Sequence, residues 1–197
     1  MDSSLSPEGR RLLFTDARTV NRFIDRPVPG ELLRELYELM KWGPTSMNSQ
    51  PVRIAFLTSQ AAKERLMPAL FDGNVARVNS APVVAIIGYD LEFFEYVPRN
   101  YPPAPENKKI FESNEIATQI NAFRNSTLQG AYFIFAARAL GLDCGPMSGF
   151  DNTRVDQAFF AGTHVKSNFL CTLGYADETH NYPRGPRFDF DEVCQVL

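Results

Sequence analysis

Cysteine and histidine are scarce in this chain of 197 residues, and their scarcity excludes several chemistries at once. The three cysteines, Cys144, Cys171 and Cys194, are odd in number and widely spaced, so they form neither a disulfide framework nor a C-x-x-C redox or zinc pair. His164 and His180 stand apart without a carboxylate-rich metal pattern beside them, and no metal is expected. No apolar run approaches the roughly 18 to 20 residues that span a bilayer. Met1 to Arg11 lacks the apolar stretch of a signal peptide, and a cytoplasmic location is the expectation. A Lys/Arg-rich block is also missing, and the formal charge is -3. Nucleic acid and anionic membrane are therefore not the expected partners, which leaves small molecules. The Gly-x-Ser-x-Gly elbow, the Walker A loop, Gly-x-Gly-x-x-Gly and His-Glu-x-x-His are all absent.

What is present is an ordinary globular composition, 44% hydrophobic and 22% charged, without repeats or a convincing linker. One domain over 1–197 is expected. Its most informative stretch is Trp42-Gly43-Pro44-Thr45-Ser46-Met47-Asn48-Ser49-Gln50-Pro51. Two prolines fix the backbone locally, while the hydroxyls and amides between them exceed what closing a turn requires. That excess suits a ligand with many oxygens.

Ser6 and Pro7 open a first helix that ends near Thr15-Asp16. Leu32, Leu33, Leu36, Tyr37, Leu39 and Met40 recur at helical spacing until Gly43-Pro44 stops them. Val52 to Thr58 reads as an edge strand, Ser59 to Leu70 as a short helix, and the continuous apolar run Val83 to Tyr89 as a central strand covered on both faces. The aromatic stretch 90–113 contains Pro98, Pro102, Pro103 and Pro105 and is expected to be a loop or lid. Asn114 to Leu140 gives the longest helix, with Leu128, Tyr132, Phe135 and Ala139 on one stripe and Gly141 as its stop. Asp143 to Phe150 is expected to be a glycine-bracketed turn, followed by a helix near Val155 to Phe160 and a strand over Phe169 to Tyr175. Asn125-Ser126-Thr127 matches a glycosylation acceptor by chance, since it falls inside a helix. Arg18-Thr19, Thr45-Ser46, Arg184 and Arg187 are a set able to converge on a phosphorylated cofactor. A cysteine hydrolase using Cys144 or Cys171 with His164 is the competing class, although both cysteines read better as buried structural thiols.

Arg18-Thr19-Val20-Asn21-Arg22-Phe23, Pro44-Thr45-Ser46-Met47-Asn48-Ser49-Gln50-Pro51, Asn74 with Arg77, Ala81-Pro82, Pro146-Met147-Ser148-Gly149-Phe150-Asp151 and Arg187 follow one another in an order that resembles the flavin-dependent nitroreductase family. The resemblance covers nearly the whole chain. Within the family the chain is similar to the compact branch typified by malonic semialdehyde reductase of pyrimidine breakdown. Leu39-Met40-Lys41-Trp42-Gly43 and Ala122-Phe123-Arg124-Asn125-Ser126 are among the segments that carry that likeness.

The resemblance implies an α+β nitroreductase-like fold, with a central mixed β-sheet flanked by helices, in an intertwined homodimer holding FMN at the subunit interface. It implies that Arg18, Thr19 and Arg187 hold the phosphate with help from Arg184, and that Asn74 and Arg77 bond the polar edge of the isoalloxazine. The backbone of Pro146, Met147, Ser148 and Gly149 would face N5. Pro44, Thr45, Ser46 and Asn48 would reach the partner's flavin. Asn21 stands where the family often has Lys or Arg, and Ser148 where many relatives have an acid. The implied activity is ping-pong transfer of hydride from NADPH or NADH through flavin N5 to a small acceptor. That acceptor is malonic semialdehyde, giving 3-hydroxypropionate, or alternatively a nitroaromatic or quinone; a flavin-binding protein without useful turnover is the further alternative. No side-chain nucleophile is needed. Arg53, Arg99 and Arg124 are candidates for the carboxylate of an oxo-acid acceptor.

Overall fold

The computed structural model describes residues 4–180 and 182–197. The Ser6 hydroxyl accepts from the Gly9 amide at 3.1 Å, and Pro7 occupies the first turn of α1 (Pro7–Arg10), where a missing N–H is no loss. The chain continues through a wider π turn over Arg11–Thr15. In α2 (Gly30–Met40), Leu33, Leu36 and Met40 are buried, whereas Tyr37 and Leu39 face outwards. After the proline-bracketed turn come β1 (Val52–Leu57), α3 (Gln60–Leu66), capped by Ser59, α4 (Asp72–Ser80) and β2 (Val83–Asp90).

The stretch 90–113 folds into short helical turns, among them α5 (Val97–Asn100) and α6 (Lys108–Glu112). Pro98 and Pro105 sit in the first positions of such turns, where proline starts a helix rather than breaking one. Phe93 and Phe111 anchor the segment, their rings 4.9 Å apart and buried, and Lys108 bridges Glu95 at 2.7 Å and Glu112 at 3.2 Å. Then follow α7 (Glu115–Ala139), β3 (Asp143–Met147), α8 (Asn152–Phe159), β4 (Val165–Gly174) and α9 (Phe190–Val193).

The sheet order is β1-β2-β4-β3, and every strand pair is antiparallel. Among the described residues a parallel pairing enters through the bridge between Thr19 and Cys144, where the Val20 amide donates to Cys144 O at 2.9 Å. β1 is an edge and β2 is interior, as their sequences predict. Every residue of β2 is buried. Val83, Ala85 and Ile87 pack with Leu36, Met40 and Phe133 of α2 and α7. Val84 and Ile86 pack on the opposite face with Leu66, Val78 and Val155 of α3, α4 and α8. A strand between two helical layers needs no polar alternation, which explains the unbroken apolar run.

Two expectations are corrected. Residues 143–147 form an edge strand rather than a turn, because Gly145 opposite Thr172 permits close pairing: a Cβ there would lie 2.3 Å from Thr172 Oγ1 and 2.7 Å from Val20 O. The stripe of Leu128, Tyr132 and Ala139 faces outwards, with Phe135 only partly covered. The buried face of α7 carries Ala122, Asn125, Ser126, Gln129, Gly130, Phe133, Ala136 and Ala137. Small residues win that face because the helix lies close to the sheet. A Cβ at Gly130 would fall 2.5 Å from Phe169 Cε1. Gly130→Ala is expected to destabilise the fold by about 1–3 kcal/mol through overpacking. Urea unfolding measures this, and an unchanged midpoint would mean that α7 has room to spare at this position.

Candidate functional site

Five arginines converge on a cleft of about 610 Å³ between the Arg18–Asn21 segment, the C-terminal half of α7 and the 182–187 segment. Arg18 donates to Tyr182 O, and Arg138 to Leu13 O at 2.9 Å. Arg184 donates to Thr15 O and to Ala17 O at 3.2 Å, while Arg187 donates to Gly185 O at 3.1 Å and Pro186 O at 2.9 Å. Arg77, from α4, donates to Asn21 Oδ1 and reaches Pro146 O at 3.5 Å. No one of the five makes an ion pair with a carboxylate among the described residues. Backbone carbonyls orient these cations without neutralising them. Like charges gathered without counter-charges are best satisfied by an anion with several oxygens, such as a phosphate.

The deep end of the cleft is organised around Arg77. Burial pulls its pKa down from the usual arginine value, and its Nε is buried without a hydrogen-bond partner among the described residues. Beside it, Asn74 Nδ2 donates to Gly149 O at 2.8 Å, and a Cβ at Gly149 would lie 2.6 Å from that same nitrogen. Helix α4 and the end of β3 are thus locked together, which brings Asn21, Asn74, Arg77, Pro146 and Gly149 into one corner. Met147 is buried there and Ser148 is exposed. A second hollow, of about 550 Å³, adjoins Asn21, Arg77 and Tyr182 and is also lined by His180. Asp177 lies below the usual carboxylate range because the Thr179 hydroxyl donates to it at 2.6 Å.

Pro44, Thr45, Ser46 and Asn48 do not join this cleft within one chain. Their turn docks halfway along α7, with the Ser46 amide donating to Asn125 Oδ1 at 2.8 Å. Phe135 and Arg138 of the cleft lie ten to thirteen residues further, about 15–20 Å along the helix. Met47, Asn48 and Gln50 have φ of 52°, 49° and 45°, a left-handed backbone that costs each side chain roughly 1–3 kcal/mol. Hydrogen bonds hold the turn in shape: Gln50 N to Thr45 Oγ1 at 3.2 Å, Gln50 Nε2 to Asn48 Oδ1 at 2.9 Å and Asn48 Nδ2 to Asn100 O at 2.9 Å. Pro44, Ser46 and Asn48 remain exposed.

Sequence reasoning missed Arg138, Phe135, Phe14 and Tyr182 as lining residues. Phe14 meets Phe135 with ring centroids 5.1 Å apart, a contact across 121 positions that no local pattern discloses. The hydrolase is not supported. Cys144 and Cys171 are buried, and the Cys171 thiol is pushed up by hydrogen bonding to Cys144 and by burial, which keeps it neutral. His164 is exposed and paired with Glu92, seven residues and about 23 Å along the strand direction from Cys171. Among the described residues no cluster suited to a metal ion is found, and no helix is long and apolar enough to cross a membrane.

The sequence profile of the Nitroreductase family matches residues 15–175. Two relatives carry the name "Putative NADH dehydrogenase/NAD(P)H nitroreductase". That of Stenotrophomonas maltophilia strain K279a is 52% identical over 196 residues, covering 100% of both chains. HadB of Ralstonia pickettii is 53% identical over 186 residues, covering 93% of this chain and 95% of its own. The crystal structure of a "putative nitroreductase in complex with FMN" from Exiguobacterium sibiricum superposes with a TM-score of 0.87 over 98% of this chain and 99% of its own. At 18% identity that likeness is one of fold.

Inorganic phosphate is expected to raise the thermal midpoint of flavin-free protein by binding the folded cleft, and Arg18→Gln or Arg187→Gln to remove most of the shift. An equal shift in both variants would put the anion elsewhere.

Proposed function

The chain belongs to the nitroreductase family, and from that premise we propose that it is an FMN-dependent NAD(P)H oxidoreductase acting on a small acceptor. One observation carries the reading: a cleft of arginines without carboxylate partners that leads to a corner built from Arg77, Asn74 and the backbone at Gly149. The residues fit FMN. The cations suit a phosphate, the orphaned Nε of Arg77 suits a polar ring edge, and the glycines leave backbone exposed where a side chain has no room. When bound, FMN supplies the exchange of hydride with NAD(P)H and with the acceptor.

Arg18, Thr19, Arg184 and Arg187 are assigned to the phosphate, and Asn21, Asn74 and Arg77 to the polar edge. Pro146, Met147, Ser148 and Gly149 are assigned to the wall nearest the reacting atom. Arg77 donates to Asn21, which is neutral, so a single guanidinium carries the positive charge at that edge. The fixed cation favours negative charge beside it, and the buried setting strengthens the effect.

Pro44, Thr45, Ser46 and Asn48 are assigned to the flavin of a second copy, in an intertwined homodimer. Three features support that assembly. The outer face of α7 exposes Ile116, Ile120, Phe123, Leu128 and Tyr132 along a helix of 25 residues, Trp42 beside the turn is 78% exposed, and no strand among the described residues pairs with the outer edge of β1. An apolar stripe of that length on a free monomer is a docking surface.

The proposed acceptor is malonic semialdehyde or a similar short oxo acid, reduced to the hydroxy acid. The nitroreductase name of the relatives supports nitroaromatics as the second class, and quinones are a further alternative. Anaerobic absorption spectra test the reading: flavin bands bleached by NADPH or NADH are expected, and recolouring by malonic semialdehyde or a nitroaromatic identifies the acceptor. No flavin uptake after incubation with FMN would overturn the assignment, and flavin that neither nucleotide bleaches would leave a binding protein. Leu128→Glu with Tyr132→Glu is expected to yield monomers by light scattering and to weaken FMN retention. Retained FMN in such monomers would show that one chain suffices.

A further inference from the structure

A polar pocket of about 300 Å³ lies between the end of α2, the start of β1 and α5, and no residue assigned to FMN lines it. It borders the strained turn. Gln50 and Asn100 form part of its wall, and Asn48 is bonded to both.

Three cations face this pocket, and they differ in what already holds them. Lys41 is paired with Glu38, and Arg53 with Asp90 at 2.5 Å. Arg99 has no carboxylate partner among the described residues. Its Nε donates to Asn100 Oδ1 at 3.0 Å, neither terminal nitrogen has a hydrogen-bond partner among the described residues, and its guanidinium lies 5.3 Å from the centroid of the Tyr96 ring. The floor carries a second unused donor. Gln129 is only 2% exposed, and its Oε1 accepts from the Val52 amide at 3.0 Å. That bond fixes the amide, while its Nε2 has no partner among the described residues. Among the described residues only Arg77 Nε is buried without a partner, so the Gln129 NH₂ is open to the pocket and can donate to an acceptor there.

A planar guanidinium fork and a fixed amide NH₂ facing one small polar pocket match the oxygens of a carboxylate. The pocket is at the lower end of ligand-site volumes, which suits a short acid. We propose that this pocket is a carboxylate subsite, in which Arg99 and Gln129 bind the acid group of a short oxo-acid acceptor. The proposal rests on the acceptor class proposed above and narrows it. Of the three arginines that the sequence offered for this role, Arg53 is paired with Asp90 and Arg124 does not line the pocket, so Arg99 takes the role.

Isothermal titration of the FMN-loaded protein with malonate tests the subsite without relying on turnover. Wild type is expected to bind malonate, Arg99→Gln to weaken it by about tenfold or more, and Arg124→Gln, an exposed cation outside the pocket, to leave it unchanged. Gln129→Glu, which keeps an oxygen for the Val52 amide and replaces the NH₂ with a second acceptor, is expected to weaken malonate as Arg99→Gln does. No malonate binding by wild type, equal affinity in Arg99→Gln, or equal weakening in Arg124→Gln would each overturn the proposal. Failure of the oxidoreductase reading shows separately, as flavin that NAD(P)H does not bleach.

Discussion

Close packing of α7 against the sheet is the constraint on which the remainder of the structure depends. Gly130 lets the helix approach Phe169 of β4, and that proximity turns the inner face of α7 into a row of buried amides that reach backbone on neighbouring elements. Asn125 takes the Ser46 amide and Gln129 takes the Val52 amide, so the turn and the first residue of β1 both hang from the helix. Further along, Arg138 ties the helix to Leu13 O and thereby to the segment that carries Arg18 and Thr19. Were the helix lifted outward by a side chain at Gly130, these bonds would lengthen together.

Charge is used differently in the two polar places this arrangement creates. In the arginine cleft the cations are oriented by carbonyl groups, which aim them but leave their charge for an anion. In the pocket beside α5 most cations are already paired, and recognition falls to the one arginine and the one amide that are not. The strained turn lies next to that pocket, and its left-handed residues are held by side-chain and backbone bonds from α5 and α7. A shape with that cost in conformational energy persists only where the surroundings over-determine it.

Local patterns in the sequence disclosed the elements whose neighbours impose nothing unusual. Ser6-Pro7 and Ser59 capped the helices they were expected to cap, Gly141 ended α7 with φ of 74°, and the apolar run of β2 lies in the centre of the sheet. Reasoning from periodicity failed on α7 because its most apolar stripe faces outwards, while amides and small residues occupy the buried face. It failed on residues 143–147 because glycine and proline, read as turn signals, sit there in an edge strand where a Cβ at Gly145 has no room. The prolines of 90–113 were read as breakers, yet two of them begin short helical turns.

The sequence by itself determined the family, because motif order along a chain is a one-dimensional property, and it offered the positions that are proposed for the cofactor. Only the tertiary structure decided which of those positions share a cleft. Arg77 meets Asn21 across 56 positions, and Arg138 meets Leu13 across 125. It also decided that the Pro44–Asn48 turn stands apart from the arginines in a single chain, and that Arg53 has a carboxylate partner while Arg99 has none among the described residues. Charge pairing and burial are set by which segments the packed core brings together, and no local pattern encodes them.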